Sequence, residues 1–233
     1  AGLAVEIAPP DTVRRVQDVV QVAWQGGDPM VDSPRVVVER LDGETWVPLQ
    51  TRSGREVGSD LTDVLVAWQP DPLYPPEADQ SHTWWAAWQP VRWGGEERAG
   101  LPLGTYRLRI TGARATGEAS TWPWPAEGYE LTTEPFELLP ADVSVVVEDG
   151  RVSAAIEAPP WGWRLVDLDG SSHGANPLLD PTLQWERADG STEIAEVDAT
   201  VSSGWSVFSV DPPADAVAAI VTDAWGNQGR VEL

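Results

Sequence analysis

The chain consists largely of short segments in which apolar and polar residues alternate. In Thr105–Ile110, Tyr106, Leu108 and Ile110 are apolar and the intervening residues are polar. Because successive side chains of a strand point to opposite faces of the sheet, this pattern predicts a half-buried antiparallel strand. Gly104, just before Tyr106, gives the spacing of the tyrosine corner found in β-sandwiches.

The same alternation predicts strands elsewhere in the chain, at Val16–Ala23, Val36–Arg40, Val64–Trp68, Val143–Val147, Val152–Ile156, Leu183–Glu186, Trp205–Val210 and Val217–Val221. The 21 glycines and 21 prolines interrupt the sequence too often for helices of ordinary length. An Asp42-Gly43 turn is predicted to join Arg35–Leu41 to a return strand through Trp46. Pro213–Ala219 is interpreted as a turn that enters a strand.

These elements predict an all-β chain of two immunoglobulin-like antiparallel β-sandwiches in tandem, with very little helix. We place the boundary at Leu139–Asp142, where Pro140 interrupts one strand and a new hairpin begins around Asp149-Gly150. The first domain then covers residues 1–139 and the second covers residues 140–233.

Three motifs of the first domain occur in an order that resembles the C-terminal immunoglobulin-like domain of the neutral (non-lysosomal) ceramidases. They are Gly27–Pro29, Val38–Leu41 with Trp46, and Gly104–Leu108 with Gly112. The resemblance covers roughly residues 10–139 and is lost in the proline-rich piece Gln69–Glu77 and the tryptophan run after it. The remainder resembles a generic bacterial immunoglobulin-like domain at the level of fold only.

The resemblance implies a parent protein that is a secreted bacterial hydrolase. Such a parent would cleave a sphingolipid amide bond with zinc, which histidines of a separate N-terminal domain would hold. This chain would then be its non-catalytic C-terminal region, and its partner would be the catalytic domain that it braces. No cofactor is expected in this chain itself.

The charge excludes some partners. The chain carries 37 acidic residues against 15 arginines, a formal net charge of −22. Nucleic acid and anionic lipid require clustered cations, and the sequence contains no such cluster. All 15 basic residues are arginine and none is lysine. Both a GC-rich coding sequence and a halophilic surface would explain this composition.

Cysteine is absent, so disulfides and thiolate metal sites are excluded and the redox compartment cannot be inferred. No apolar run approaches the ~20 residues of a membrane-spanning helix. The chain begins AGLAVEIAPP without an initiating methionine or a signal sequence, so we expect a portion of a longer secreted or cell-surface precursor.

The 14 tryptophans are the most unusual part of the composition. Eight of them are candidates for an interface or for ligand stacking: Trp84, Trp85, Trp88, Trp93, Trp122, Trp124, Trp161 and Trp163. The first four are expected to face a protein partner, because an apolar patch of that size is unusual on a free monomer. Core packing, an apolar or lipid ligand and a carbohydrate ligand remain open as alternatives.

The chain offers little catalytic chemistry. A zinc hydrolase site needs at least three convergent ligands and an open position, whereas this chain has only His82 and His173, in different predicted domains. No catalytic residue is predicted. The candidates for a calcium ion are Asp167, Asp169, Asp223 and Asn227, and ordinary Asx-turn chemistry is the alternative at each.

The sequence therefore predicts an accessory region of a ceramidase-like hydrolase. The alternative, from a different class, is a stand-alone binding or cell-surface assembly module. Such a module would use tryptophan-rich loops to bind carbohydrate or protein.

Overall fold

The computed structural model describes residues 4–25, 34–50, 54, 56–59, 64–69, 83–88, 90, 101–115, 126–157, 175–176 and 178–233. The chain divides into two compact units. The first unit is Ala1–Val13, Val19–Arg98 and Pro102–Leu138, and the second unit is Arg14–Asp18, Ala99–Leu101 and Leu139–Leu233. The second unit therefore begins one residue before the predicted boundary and includes two short segments from earlier in the chain.

The first ten strands, in chain order, are β1 (Ala4–Ile7), β2 (Thr12–Arg14), β3 (Val20–Gln25), β4 (Arg35–Asp42), β5 (Thr45–Pro48), β6 (Val64–Gln69), β7 (Thr83–Trp88), β8 (Gly104–Ala115), β9 (Ala126–Thr132) and β10 (Phe136–Leu139). They form two sheets, with the orders β1-β3-β7-β6 and β2-β10-β8-β4-β5, and β9 also pairs with β8. These orders match the A-B-E-D and G-F-C-C′ sheets of immunoglobulin domains.

The core of the first unit lies between these two sheets. Trp88, Tyr106 and Phe136 form a cluster of buried rings, with centroids 6.0 to 6.3 Å apart. The hydroxyl group of Tyr106 donates a hydrogen bond of 2.5 Å to the carbonyl oxygen of Pro102. A tyrosine at the start of the F strand that bonds back to the preceding backbone is a tyrosine corner, as the sequence predicts.

The remaining strands are β11 (Val143–Glu148), β12 (Arg151–Glu157), β13 (Ala175–Asn176), β14 (Thr182–Arg187), β15 (Thr192–Ile194), β16 (Thr200–Ser202), β17 (Trp205–Ser209), β18 (Ala216–Thr222) and β19 (Gln228–Glu232). One sheet has the order β11-β12-β17-β16, with β13 beside β12, and the other has the order β15-β14-β18-β19. These are again the two sheets of an immunoglobulin domain, and Trp185 on β14 occupies the C strand, where such domains carry their buried tryptophan.

The two ends of the second unit meet. Asp142, just before β11, forms a parallel bridge with Gln228, the first residue of β19. Gly229 allows this close approach, because a Cβ atom added to it would lie 2.4 Å from the carbonyl oxygen of Val143. A side chain at this position would force the two strands apart.

The predicted all-β fold is confirmed, and the described residues contain no α-helix. The hairpin at Asp149-Gly150 is a two-residue turn with positive φ at both positions (48° and 69°), as a type I′ turn requires. The segment Pro213–Ala219 is a turn followed by β18, as predicted.

The predicted strand Val16–Ala23 is wrong in its first half, because β3 begins only at Val20. Val16 has a φ of 64°, which no strand accommodates. The backbone N–H of Arg14 donates to the Asp18 carboxylate at 2.6 Å and closes a turn there. Val16, Val20 and Val22 keep the even spacing of one strand face, and the polar Asp18 between them marks the turn that interrupts it.

Candidate functional site

Two of the three motifs that carry the family resemblance lie on neighbouring strands, and the third, Gly27–Pro29, lies outside the described residues. Val38–Leu41 belongs to β4 and Gly104–Leu108 belongs to β8, and the two strands pair antiparallel with Glu39 opposite Arg107. Trp46 follows on β5, which pairs with the other edge of β4. Segments that are far apart in the sequence thus form one continuous part of the G-F-C-C′ sheet.

Four side chains of this region, which we call the Glu39 cluster, lie together on the outer face of the sheet: Glu39, Trp46, Arg107 and Arg109. The Glu39 carboxylate accepts hydrogen bonds from Arg107 Nε at 2.8 Å and from Arg109 Nε at 2.6 Å. The Arg107 guanidinium also lies 4.4 Å from the centroid of the Trp46 ring, a cation–π geometry. The Glu39 side chain is only 5% exposed, so the arginines and their neighbours cover it.

The electrostatics keep this cluster charged. Burial raises the pKa of Glu39, but the hydrogen bonds from Arg109 and Arg107 outweigh that effect, and the pKa lies below its ordinary value. The hydrogen bond to Glu39 raises the pKa of Arg109. Glu39 balances one of the two guanidinium charges, and the more exposed Glu130 carboxylate lies 3.9 Å from Arg109. The cluster therefore offers ordered cations and an indole, and no group suited to exchange protons near pH 7.

The structure corrects the expected role of two candidate tryptophans. Trp84 is 8% exposed and Trp88 is 1% exposed, so both are buried inside the first unit. Trp88 packs on Tyr106 and Phe136 between the sheets. The core-packing alternative applies to these two residues, and the expectation that they face a partner or ligand is wrong. The side chain of Trp85 lies outside the described part of the structure.

Other predicted candidates also lie outside the described residues. They are Trp93, Trp122, Trp124, Trp161, Trp163, Asp167 and Asp169, together with His82 and His173. Their assignments remain predictions.

Asp223 and Asn227 lie in the turn between β18 and β19, where hydrogen bonds occupy their side chains. One Asp223 oxygen accepts from the backbone N–H groups of Trp225 and Asn227, at 2.9 and 2.8 Å, and the other accepts from the Asn227 amide at 2.8 Å. The Asn227 carbonyl oxygen in turn accepts from the Ala141 N–H at 2.8 Å and from Arg15 at 3.3 Å. These contacts are those of an Asx-turn network, the alternative to calcium at this pair.

Within the described residues, no group of three or more His, Cys, Asp or Glu side chains is placed to hold a metal ion. The described residues therefore do not fit a zinc centre of the kind that the resemblance implies for the parent enzyme. The described part of the chain also contains no helix with the length and hydropathy of a membrane span.

Sequence reasoning missed two functional candidates. Arg109 shares a face with Arg107 by strand alternation, and its pairing with Glu39 could have been anticipated from that spacing. Trp205, on β17, lies half-buried in a groove on the outer face of the second unit. It stands apart from the clustered tryptophans in the sequence, and only the register of β17 shows which face it occupies.

Comparison with known proteins gave no match to any family model and no match among curated proteins. Among solved structures, the chain is similar to neutral ceramidase from Pseudomonas aeruginosa, with 19% identity and a TM-score of 0.40. That similarity covers 59% of this chain, and the chain spans only 19% of the length of the enzyme.

Tandem immunoglobulin domains are similar over nearly the full length. A pair of titin Ig domains shows 10% identity and a TM-score of 0.26, covering 99% of this chain and 94% of the other. The N-terminal Ig module of the Drosophila receptor protein tyrosine phosphatase DLAR shows 11% identity and a TM-score of 0.25, covering 100% and 96%. Because these TM-scores are 0.40 or lower, the likenesses carry no argument about function, and the sheet orders define the fold.

Proposed function

We propose that this chain is a non-catalytic region of a larger secreted bacterial hydrolase of the neutral ceramidase type, and that its first unit braces the catalytic domain. The supporting observation is that two of the three motifs of the family resemblance meet in the Glu39 cluster. The buried Glu39 carboxylate holds Arg107 and Arg109 in place, and Arg107 lies over the Trp46 ring. Four side chains are thus ordered on one face of the sheet.

Such order favours protein docking. Binding normally immobilises long side chains at an entropic cost, and Arg107 and Arg109 are already held by Glu39. Arginine and tryptophan, with tyrosine, are enriched among the residues that contribute most to the binding energy of protein interfaces. The Glu39 cluster is therefore the proposed contact surface for the catalytic domain, in place of the buried Trp84 and Trp88.

The parent's chemistry is a further part of this proposal. It would hydrolyse a sphingolipid amide bond with zinc bound by the separate catalytic domain, and no residue of this chain would hold that zinc. The isolated chain is accordingly expected to show no hydrolysis of a ceramide analogue and no stoichiometric zinc in metal analysis. Turnover by the isolated chain would contradict the proposal.

The direct test begins with the full sequence and intact mass of the source polypeptide. A zinc-hydrolase domain before Ala1 supports the proposal. A stalk, repeat array or anchor there contradicts it and favours the alternative of a cell-surface assembly module. Either result settles which class of parent the chain belongs to.

The docking surface is then tested in that full polypeptide with Arg107→Ala. This variant is expected to lower the melting temperature of the catalytic domain, because the ordered contact surface is lost. The matched control is Arg187→Ala, which removes an arginine paired with Glu193 and Asp215 on the second unit. Equal effects of the two substitutions on the catalytic domain would contradict the assignment of the Glu39 cluster.

A further inference from the structure

The outer face of the β11-β12-β17-β16 sheet forms a groove of about 570 Å³. The register defines its floor. Val146, Ser153, Val207 and Thr200 form one row across the four strands. Their chain neighbours Val152, Ala154 and Phe208 are buried on the opposite face, so this row points outward. Four strands spaced ~4.8 Å apart make the row about 14 Å wide.

The groove combines one indole with several hydroxyl groups. Trp205 lies opposite Ser202 and is two residues from Val207, on the same face. Ser153, Ser202 and Ser209 also line the groove. Their side chains form no hydrogen bond with any described residue, so within the described structure these donors and acceptors are available to a ligand.

One end of the groove carries a charge of each sign. Glu148 and Arg151 are cross-strand neighbours, and Arg151 pairs in register with Ser209. The Arg151 side chain makes no ion pair or hydrogen bond with a described residue, although the chain has 37 acidic residues. The lining residues thus include one acid and one base, and both groups can bond to neutral hydroxyls.

We infer that this groove binds an uncharged oligosaccharide chain. The flat face of Trp205 would pack on the C–H face of a sugar ring, and its N–H could donate to a hydroxyl. The serine hydroxyls, Glu148 and Arg151 would bond to hydroxyls of neighbouring sugars along the row. The inference is independent of the proposed bracing role, because it concerns the other unit and another surface.

The chemistry of the groove disfavours other ligands. An anionic ligand would meet Glu148 and the field of a chain with a net charge of −22. A lipid chain would bury the serine hydroxyls and the Arg151 guanidinium without partners, which is unfavourable. The volume lies within the 300 to 1,000 Å³ range typical of small-molecule sites.

The test is isothermal titration calorimetry with hexamers of neutral glucose, xylose and N-acetylglucosamine polymers, and with an acidic galacturonic acid hexamer. At least one neutral hexamer is expected to bind. Trp205→Ala should weaken that binding at least about tenfold, as loss of a central aromatic contact does. Arg151→Ala, an exposed position, should weaken it about threefold to tenfold.

Trp225→Ala is the matched control, because Trp225 is a half-buried tryptophan of the same unit that does not line the groove. It should leave the affinity unchanged, and circular dichroism should show that all variants remain folded. Binding unaffected by both Trp205→Ala and Arg151→Ala overturns the inference, as does binding of the acidic hexamer alone or of none of the probes. Sedimentation velocity adds a final check, because dimerisation abolished by Trp205→Ala would assign the groove to a second copy of the chain instead.

Discussion

The environment shifts the pKa values of two buried carboxyl groups in opposite directions. Glu39 is buried between two arginines, and their hydrogen bonds hold its pKa below the ordinary value of 4.5. Its ionised form therefore contributes stability above about pH 4.5, and that contribution is lost as pH falls through the folded-state pKa.

At Asp223, burial raises the pKa above 3.8, although hydrogen bonds from Asn227 and Trp225 oppose the shift. Stability linked to this group is present below pH 3.8 and is lost as pH rises through its folded-state pKa.

The first prediction concerns Glu39→Gln. At pH 7 it is expected to lower the free energy of unfolding by about 1–3 kcal/mol, because Arg107 and Arg109 lose a charged acceptor. Urea denaturation at several pH values should show this difference shrinking below pH 4.5. Glu130→Gln is the control, and because Glu130 is 61% exposed its effect should stay within about 0.5 kcal/mol. A difference that does not change with pH would show that the ionised form of Glu39 is not the stabilising one.

The second prediction concerns Asn227→Ala, which is expected to cost about 2–4 kcal/mol. The substitution leaves the Ala141 N–H and one Asp223 oxygen without a buried partner. Gln228→Ala, at the exposed next position, should cost less than about 1 kcal/mol. Thermal denaturation with and without calcium completes the test. A calcium-dependent rise in melting temperature that Asn227→Ala abolishes would contradict the Asx-turn assignment.

Among the strands, β7 shows how tertiary packing decides the meaning of a sequence pattern. It lies between β3 and β6 in its sheet. Trp84, Ala86 and Trp88 alternate onto one face, and all three are buried. Ala87 on the other face is also only 6% exposed. The described side chains of β7 therefore offer no surface to a partner.

The third prediction follows from this packing. Trp88→Ser is expected to destabilise the first unit by about 3–5 kcal/mol, because it removes a fully buried ring that contacts Tyr106 and Phe136. Trp46→Ser is the matched control, and since Trp46 is only half-buried its effect should be smaller. A folded Trp88→Ser variant of unchanged stability, with less binding of a hydrophobic dye, would instead restore the interface interpretation.

The sequence pattern predicts most of the strands, but it does not predict which face of each strand is covered. Alternation placed β4, β8, β12 and β18 correctly because each presents one apolar face to a core. It failed at Val16, which has a positive φ within a turn closed by the hydrogen bond from the Arg14 backbone N–H to the Asp18 carboxylate. Alternation also cannot distinguish a face covered by the opposite sheet from one open to solvent. That ambiguity explains why Trp88 was expected at a surface and why Trp205 was overlooked.

The chain as a whole has a large excess of negative charge. The described ion pairs include Arg35 with Glu56 and Arg14 with Asp142, both largely at the surface. Arginine cannot neutralise the acids, because 37 acidic residues face only 15 basic ones. The resulting repulsion opposes the compact state.

The fourth prediction is therefore that the melting temperature rises with sodium chloride. Raising the salt from 0.01 M to 1 M shortens the Debye length from about 30 Å to about 3 Å, which screens repulsion between separated acids. Scanning calorimetry across this range provides the measurement. A flat or falling curve would mean that bound cations or the arginines already neutralise the acidic surface.

The parallel contact between Asp142 and Gln228 has a mechanical consequence. It joins the chain just before the first strand of the second unit to the start of its last strand, and Gly229 keeps the two backbones close. Tension applied at the beginning of β11 and the end of β19 would slide these parallel segments along each other. The single backbone bridge between them would then be loaded in shear and not peeled apart.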